Sequence, residues 1–325
     1  MLRRNRVKLL GMKRRTALLG LGLAGMAGTA RAFPERPVQL WVGYAPGGNI
    51  DIAARLAQPF LEARLGAPVQ IVNKPGAAGM LMLNELAAAR ADGHVAGFTS
   101  FPALVTALHD ARPRYRLDSF AYAGQLTDEP YTIFVRADSP YRTLAELVAA
   151  ARAAPETLAM AGAGAGGAPQ LALGQLERAA TVRFTWVPMP GAGQAMTLVL
   201  GGHAVGGVST VSLTVRPAQA GEIRILGLLD AARWDRVPGM PTAREQGFDA
   251  VAGSARGIVL PASVPDAVAA QWEAAIAGTC ADPGFAAAAE REFVILRPLG
   301  RAAMRAMAEA QDRHYGALWR TAPWK

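Results

Sequence analysis

Three glycine-rich turns carry the residue types best suited to capturing an anion. The first, Ala45-Pro46-Gly47-Gly48-Asn49-Ile50-Asp51, lies between an apolar run ending at Tyr44 and a segment of helical period. Glycines there let backbone N–H groups approach a negative group at a helix start. Asn49 or Asp51 could also cap that helix, and the two roles are compatible. The second turn, Asn73-Lys74-Pro75-Gly76-Ala77-Ala78-Gly79, repeats the strand, turn, helix order and lies beside the first if the preceding strands are neighbours. The third, Gly162-Ala163-Gly164-Ala165-Gly166-Gly167, again follows an apolar run and precedes a helix.

Gly162, Gly164 and Gly167 satisfy the spacing G-x-G-x-x-G, but a dinucleotide site also needs an acid about 20 residues further on for the ribose. Arg178 to Gly221 contains no Asp or Glu. An acid-free wall suits a ligand that is itself negative. The motifs of phosphate-binding loops, zinc proteases and serine hydrolases are missing. His94, His109, His203 and His314 are scattered, without a second His or Cys at ligand spacing, so no metal and no cofactor are expected. Cys280, the only cysteine, reads as a small packed residue. No catalytic residue is nominated.

These turns need a frame, and the chain supplies an α/β one. From Val38, short runs rich in Val and Ile alternate with longer segments of helical period. Strands are predicted at Val38 to Tyr44, Val69 to Val72 and Val95 to Thr99, and helices at Ile50 to Leu65 and Ala78 to Arg90. A second set begins near Ile133 to Val135. Thr143-Leu144-Ala145-Glu146 has the capping-box pattern, and Thr242-Ala243-Arg244-Glu245 repeats it. Between them come strands at Leu158 to Ala161, Phe184 to Pro188 and Ile223 to Leu228, and helices at Gln170 to Ala179 and from Gln194. Gly257 to Leu260 reads as a strand returning to the first set, before a helix from Asp266 and a last amphipathic helix through Met304, Met307, Gln311 and Leu318. Two lobes joined by crossing strands, with a hinge and a cleft between them, are the expected result.

The N-terminus has Arg3, Arg4, Arg6, Lys8, Lys13, Arg14 and Arg15, then the apolar stretch Thr16 to Gly28 and Ala30-Arg31-Ala32. That is the pattern of a signal peptide over residues 1–32, too short in its apolar part to span a bilayer. Met12 could equally open such a signal, and the paired arginines leave the general and twin-arginine export routes both open. Removing Met1 to Ala32 takes eight basic residues and no acid, so the formal charge falls from +9 to +1. A basic surface for nucleic acid thereby loses its support. Position 33 is Phe, not the cysteine of a lipid-anchored protein.

Pro34-Glu35-Arg36-Pro37, Pro46-Gly47-Gly48 with Asp51 and Arg55, Asn73-Lys74-Pro75-Gly76-Ala77, Asp92-Gly93, Val187-Pro188 with Gly191, Gly201-Gly202, and Val237-Pro238-Gly239-Met240-Pro241-Thr242 with Glu245 and Gly247 follow one another along the chain. In this order they resemble the periplasmic receptors of tripartite tricarboxylate transporters, the Bug proteins, over nearly the whole exported chain. The resemblance implies a two-lobe periplasmic binding protein, type II-like, with lobe 1 formed by 33–132 and 254–325 and lobe 2 by 133–253. It implies a small carboxylate ligand held largely by backbone N–H groups and bridging waters. By position, Tyr44, Gly47, Gly48, Asn49 and Asp51 would serve the first lobe. Gly166, Gly167, Gln170, Gly191, Ser209 and Thr210 would serve the second. Members commonly carry a Ser or Thr, then a His, where Ala168 and Leu171 stand here. Where they read Val-Pro-Tyr-Lys-Gly, this chain has Val187-Pro188-Met189-Pro190-Gly191.

The expected protein is a monomeric, non-enzymatic receptor that delivers its ligand to membrane permease subunits. An exported α/β hydrolase or other enzyme using the same cleft, or a receptor serving a sensor and no permease, are the alternatives. The ligand itself stays open. N-terminal sequencing of the exported protein should return Phe33 as its first residue, and a start that retains Thr16 to Gly28 would contradict the signal assignment.

Overall fold

The computed structural model describes residues 33–321 and 323–324. Residues 1–32, where a signal peptide is expected, lie outside the described residues. The first part of the chain runs β1 (Val38–Val42), α1 (Asn49–Leu65), β2 (Val69–Asn73), α2 (Met80–Ala87), β3 (Val95–Phe101), α3 (Ala103–Asp110), β4 (Phe120–Arg136), α4 (Leu144–Ala153), β5 (Ala159–Ala163) and α5 (Ala168–Ala180). It continues with β6 (Thr185–Met189), α6 (Ala192–Leu200), β7 (Gly206–Thr210), α7 (Val211–Gln219), β8 (Ile223–Leu229), β9 (Gly253–Pro261), α8 (Asp266–Cys280), α9 (Pro283–Arg291), β10 (Leu296–Leu299) and α10 (Arg301–Thr321).

Strand order along the sheet is β2-β1-β3-β9-β4-β7-β5-β6, with β8 and β10 also paired to β4. The parallel pairs β1–β2 and β1–β3 fill one end, and β5–β6 and β5–β7 fill the other. Parallel strands need helical crossovers, which is why helices alternate with the strands at both ends of the sheet. Antiparallel β4 joins the two ends. Its first residues, Phe120 to Pro130, pair with β9, and Tyr131 to Arg136 pair with β7 and β8. The Tyr131 N–H donates to the Ala252 carbonyl at 2.9 Å, stitching the outgoing chain to the returning one.

Each end of the sheet has its own core. Trp272, Phe98, Phe285 and Leu40 are fully buried around α1 and α8, while Leu147, Leu176, Ile133 and Leu144 pack between α4 and α5. Two lobes therefore fold around separate apolar clusters. Local signals terminate the helices: the Gly66 backbone turns left-handed at φ 71° to end α1, and the Thr143 hydroxyl accepts from the Glu146 N–H at 3.1 Å to start α4.

Several boundaries differ from the sequence expectation. The segment expected to be helical from Ala78 to Arg90 begins as a single 3₁₀ turn, Ala77–Gly79, before α2. The Thr242 pattern does form its reciprocal bonds, with the Thr242 and Glu245 N–H groups each donating to the other's side chain. It supports only a 3₁₀ turn, Arg244–Gln246, which Gly247 ends at φ 87°. The strands β7 and β10, the helices α3, α7 and α9, and most of β4 were not expected.

At the crossing strands Arg256 and Glu129 form an ion pair with both side chains fully buried. Burying charges is repaid only while each keeps its partner. Arg256→Met should cost about 3–5 kcal/mol in denaturant unfolding, because it leaves Glu129 charged and unpaired, whereas Arg256→Met combined with Glu129→Leu should cost distinctly less than the single change. A single variant as stable as the parent would show the pair to be dispensable.

Candidate functional site

The first glycine turn is closed by its own carboxylate. Gly47 sits at φ 78°, where a side chain would be strained, and its N–H donates to Asp51 Oδ2 at 2.9 Å. Asp51 is buried, and it also accepts from Arg55 Nε at 2.9 Å and from Asn73 Nδ2 at 2.8 Å. Burial alone would raise this carboxyl, but the bonds from Arg55, Asn73 and Gly47 outweigh it and hold it below the ordinary carboxylate range. The helix cap proper is the Gly48 backbone, not Asn49 or Asp51. This corrects one part of the anion-cradle reading, since the Gly47 N–H is already spent on Asp51. The first-turn N–H groups of α1, from Asn49 on, are the ones without a helical acceptor.

The second-lobe turn is built the same way. Gly166, at φ 68°, donates its N–H to Gln170 Oε1 at 2.7 Å, the same four-residue closure that joins Gly47 to Asp51. Gly167 caps α5 at φ −78°, ψ 168°, nearly the angles of Gly48 at −78°, 163°. Gly162 answers to packing: a Cβ there would lie 2.2 Å from the Trp186 ring. The G-x-G-x-x-G spacing thus has a structural origin in this lobe.

The lobes meet at these turns. Asn49 Nδ2 donates to Thr210 Oγ1 at 3.0 Å, joining the start of α1 to the cap of α7. Thr210 is buried and also receives Arg256 Nη2 at 3.3 Å, so the crossing-strand ion pair reaches the junction directly. A Cβ on Gly164 would stand 3.1 Å from the Ala78 Cβ of the opposite lobe. Beside this junction lies a cavity of about 740 Å³ with walls from both lobes, including Tyr44, Ala78, Met80, Gly166 and Met189. That volume suits a small-molecule ligand.

Of the sequence-nominated residues, Tyr44 and Gly166 line this cavity. The Tyr44 hydroxyl donates to the Ala78 carbonyl at 2.7 Å, and burial pushes its phenol well above the usual range. Asn49 and Thr210 form the polar junction alongside; Gly47 and Asp51 close the turn before α1, and Gly48 and Gly167 cap α1 and α5. Gln170 turns away: its amide donates to the Trp324 carbonyl at 2.9 Å, beside a second cavity of about 720 Å³ between α5 and the C-terminal segment. Gly191 is buried at the start of α6, and Ser209 is buried with no partner for its hydroxyl among the described residues; neither lines the interlobe cavity. The α3 wall, with Ala103, Thr106 and Asp110, was missed, as was Trp324, whose indole donates to Asp110 at 2.8 Å. Asp110 falls seven residues after Ala103 in a run that reads as an ordinary surface helix end, so no motif announces it.

Among the described residues no cluster of His, Cys, Asp and Glu is arranged to hold a metal ion. Cys280 is half-buried, and burial pushes its thiol up to about 11, which leaves it protonated near neutral pH. The second-lobe turn reaches the shared cavity through Gly164, Ala165 and Gly166, and the first lobe reaches it through Gly43, Tyr44 and the second turn.

A family model described as the tripartite tricarboxylate transporter family receptor matches residues 53–315. The UPF0065 protein in the gbd 5' region of Cupriavidus necator is 31% identical over 272 residues, covering 80% of each chain. Among solved structures, the periplasmic binding protein BugD superimposes with a TM-score of 0.84 at 26% identity, over 90% of this chain and 99% of that one. The Rhodopseudomonas palustris protein MatC, solved with bound malate, shares the fold at a TM-score of 0.82 and 24% identity, over 88% and 99%. With matched residues spanning most of the chain, this protein belongs to the receptor family of the tripartite tricarboxylate transporters, a family of periplasmic solute-binding proteins.

Proposed function

We propose that this chain is an exported receptor that closes its two lobes on a small carboxylate and presents it to the membrane subunits of a tripartite transporter, working as a monomer and without catalysis. The observation that carries the reading is the matched pair of glycine turns, one in each lobe, closed by Asp51 and Gln170 at the edge of the interlobe cavity. Helix starts with free N–H groups are ready-made sites for a carboxylate. Family membership and the malate found in MatC support the same ligand class. In this reading lobe 1 comprises 33–132 and 254–325, lobe 2 comprises 133–253, and β4 with the returning β9 forms the hinge. Tyr44, Gly47, Gly48, Asn49, Asp51, Gly166, Gly167, Gln170 and Thr210 shape the site, with Gly191 and Ser209 behind it.

Gly48 offers the cleanest test. A Cβ there would meet only the Ala45 carbonyl, at 3.5 Å, so a side chain is tolerated by the fold but stands over the start of α1. Gly48→Val should weaken carboxylate binding on the order of ten-fold or more while stability changes by no more than about 1 kcal/mol. Titration calorimetry against mono-, di- and tricarboxylates, with thermal melts, reads both quantities. Unchanged affinity would move the carboxylate away from α1.

Asp51 makes a separate prediction through pH. Its carboxyl is held low in the folded protein, so its contribution is complete above the ordinary carboxylate pKa and is lost as pH falls through the lowered folded value. Asp51→Asn should therefore be less stable than the parent at pH 7, and the gap should narrow as the pH is taken below about 4. Melts recorded between neutral and acidic pH check this, and a gap that stays constant would remove the charge from the account.

A further inference from the structure

We propose that the interlobe cavity selects a monocarboxylate with an apolar body over di- and tricarboxylates, an inference that rests on the carboxylate-receptor reading above. A carboxylate buried away from water needs donors or a cation around it. Among the described residues, the cavity wall includes no Lys, Arg or His, and its only charged member is itself an acid, Asp110. The wall hydroxyls are already committed. Tyr44 donates to the Ala78 carbonyl at 2.7 Å, and Thr106 turns its hydroxyl toward the Ala103 carbonyl at 3.4 Å.

Backbone donors are partly spent as well. The Gly164 N–H goes to the Met189 carbonyl at 2.9 Å and the Gly166 N–H to Gln170. One carboxylate can be met at the start of α5 beside Gly166. A second, carried farther along the cavity, would face the Tyr44 ring and the side chains of Met80, Ala107 and Met189. The same walls favour a hydrocarbon chain or ring, which gains from each apolar contact it buries. At about 740 Å³ the cavity has room for such a body.

Hexanoate and adipate have the same chain length and differ only in the distal carboxylate, so their affinities isolate its effect. Titration calorimetry on the full exported protein should show hexanoate binding on the order of ten-fold or more tighter than adipate. Met189→Lys, which places a cation in the wall, should shift the hexanoate-to-adipate ratio toward adipate by about ten-fold, with melts confirming a folded variant. Adipate binding as tightly as hexanoate to the parent protein, a ratio unmoved by Met189→Lys in a folded variant, or failure of both acids to bind would overturn the proposal. Hexanamide separates it from the parent reading: if the amide binds as well as hexanoate, recognition of the carboxylate itself is what fails.

Discussion

Arg256 and Glu129 are buried together where β4 and β9 pass between the lobes, and the geometry of the site hangs on that pair. Neither charge could stay in this position alone, so each fixes the other. Arg256 extends the constraint to the Thr210 hydroxyl, and Glu129 extends it to the Ser212 N–H at 3.4 Å, in the first turn of α7. A negative group at a helix start is electrostatically favourable, so Glu129 both neutralises Arg256 and anchors α7. The outcome is that the second-lobe end of the junction is set by residues of the crossing strands.

The first-lobe end is set by a different carboxylate using similar physics. Asp51 gathers Gly47, Arg55 and Asn73, and Asn73 belongs to β2, whose parallel pairing to β1 puts the two turns side by side. Asn73 Nδ2 also donates to the Tyr44 carbonyl at 3.0 Å, so the strand end, the turn and the helix start are tied at one point. Gln170 performs the corresponding closure in the second lobe with a neutral amide. The protein's own acid therefore shapes the turn from behind, and the helix-start donors are left facing forward.

Much of this was readable in the chain. Pro46-Gly47-Gly48 and Gly166-Gly167 between an apolar run and a helical period mark strand-to-helix turns, because only those positions need both open backbone and a helix start. The parts that were missed have separate physical causes. β4 is broken as a pattern by Gly124, at φ 153°, by Pro130 and by register shifts, two against β9 and one against β8, so its 17 residues show no steady alternation. α7 carries Val211, Thr214, Val215 and Pro217, residues that read as strand or breaker, and tertiary packing against β8 and β4 overrides that preference. The ion pair was hidden because Arg256 and Glu129, far apart in sequence, look like any surface charges until the strands bring them together.

Apart from the crossing strands, the polar bonds that join the lobes near the cavity are few. Asn49 bonds Thr210 directly, and Trp324 bridges Asp110 of α3 to Gln170 of α5, its ring resting on Trp319 with centroids 4.7 Å apart. Each such bond is worth only about 0.5–1.5 kcal/mol net, because water replaces it when the lobes part. Together they amount to a few kcal/mol, comparable to the about 2.7 kcal/mol that a ligand at a hundred times its Kd contributes. The crossing strands keep the lobes joined through the fully buried Arg256–Glu129 pair, while the polar contacts across the cavity are individually weak and each can be exchanged for water.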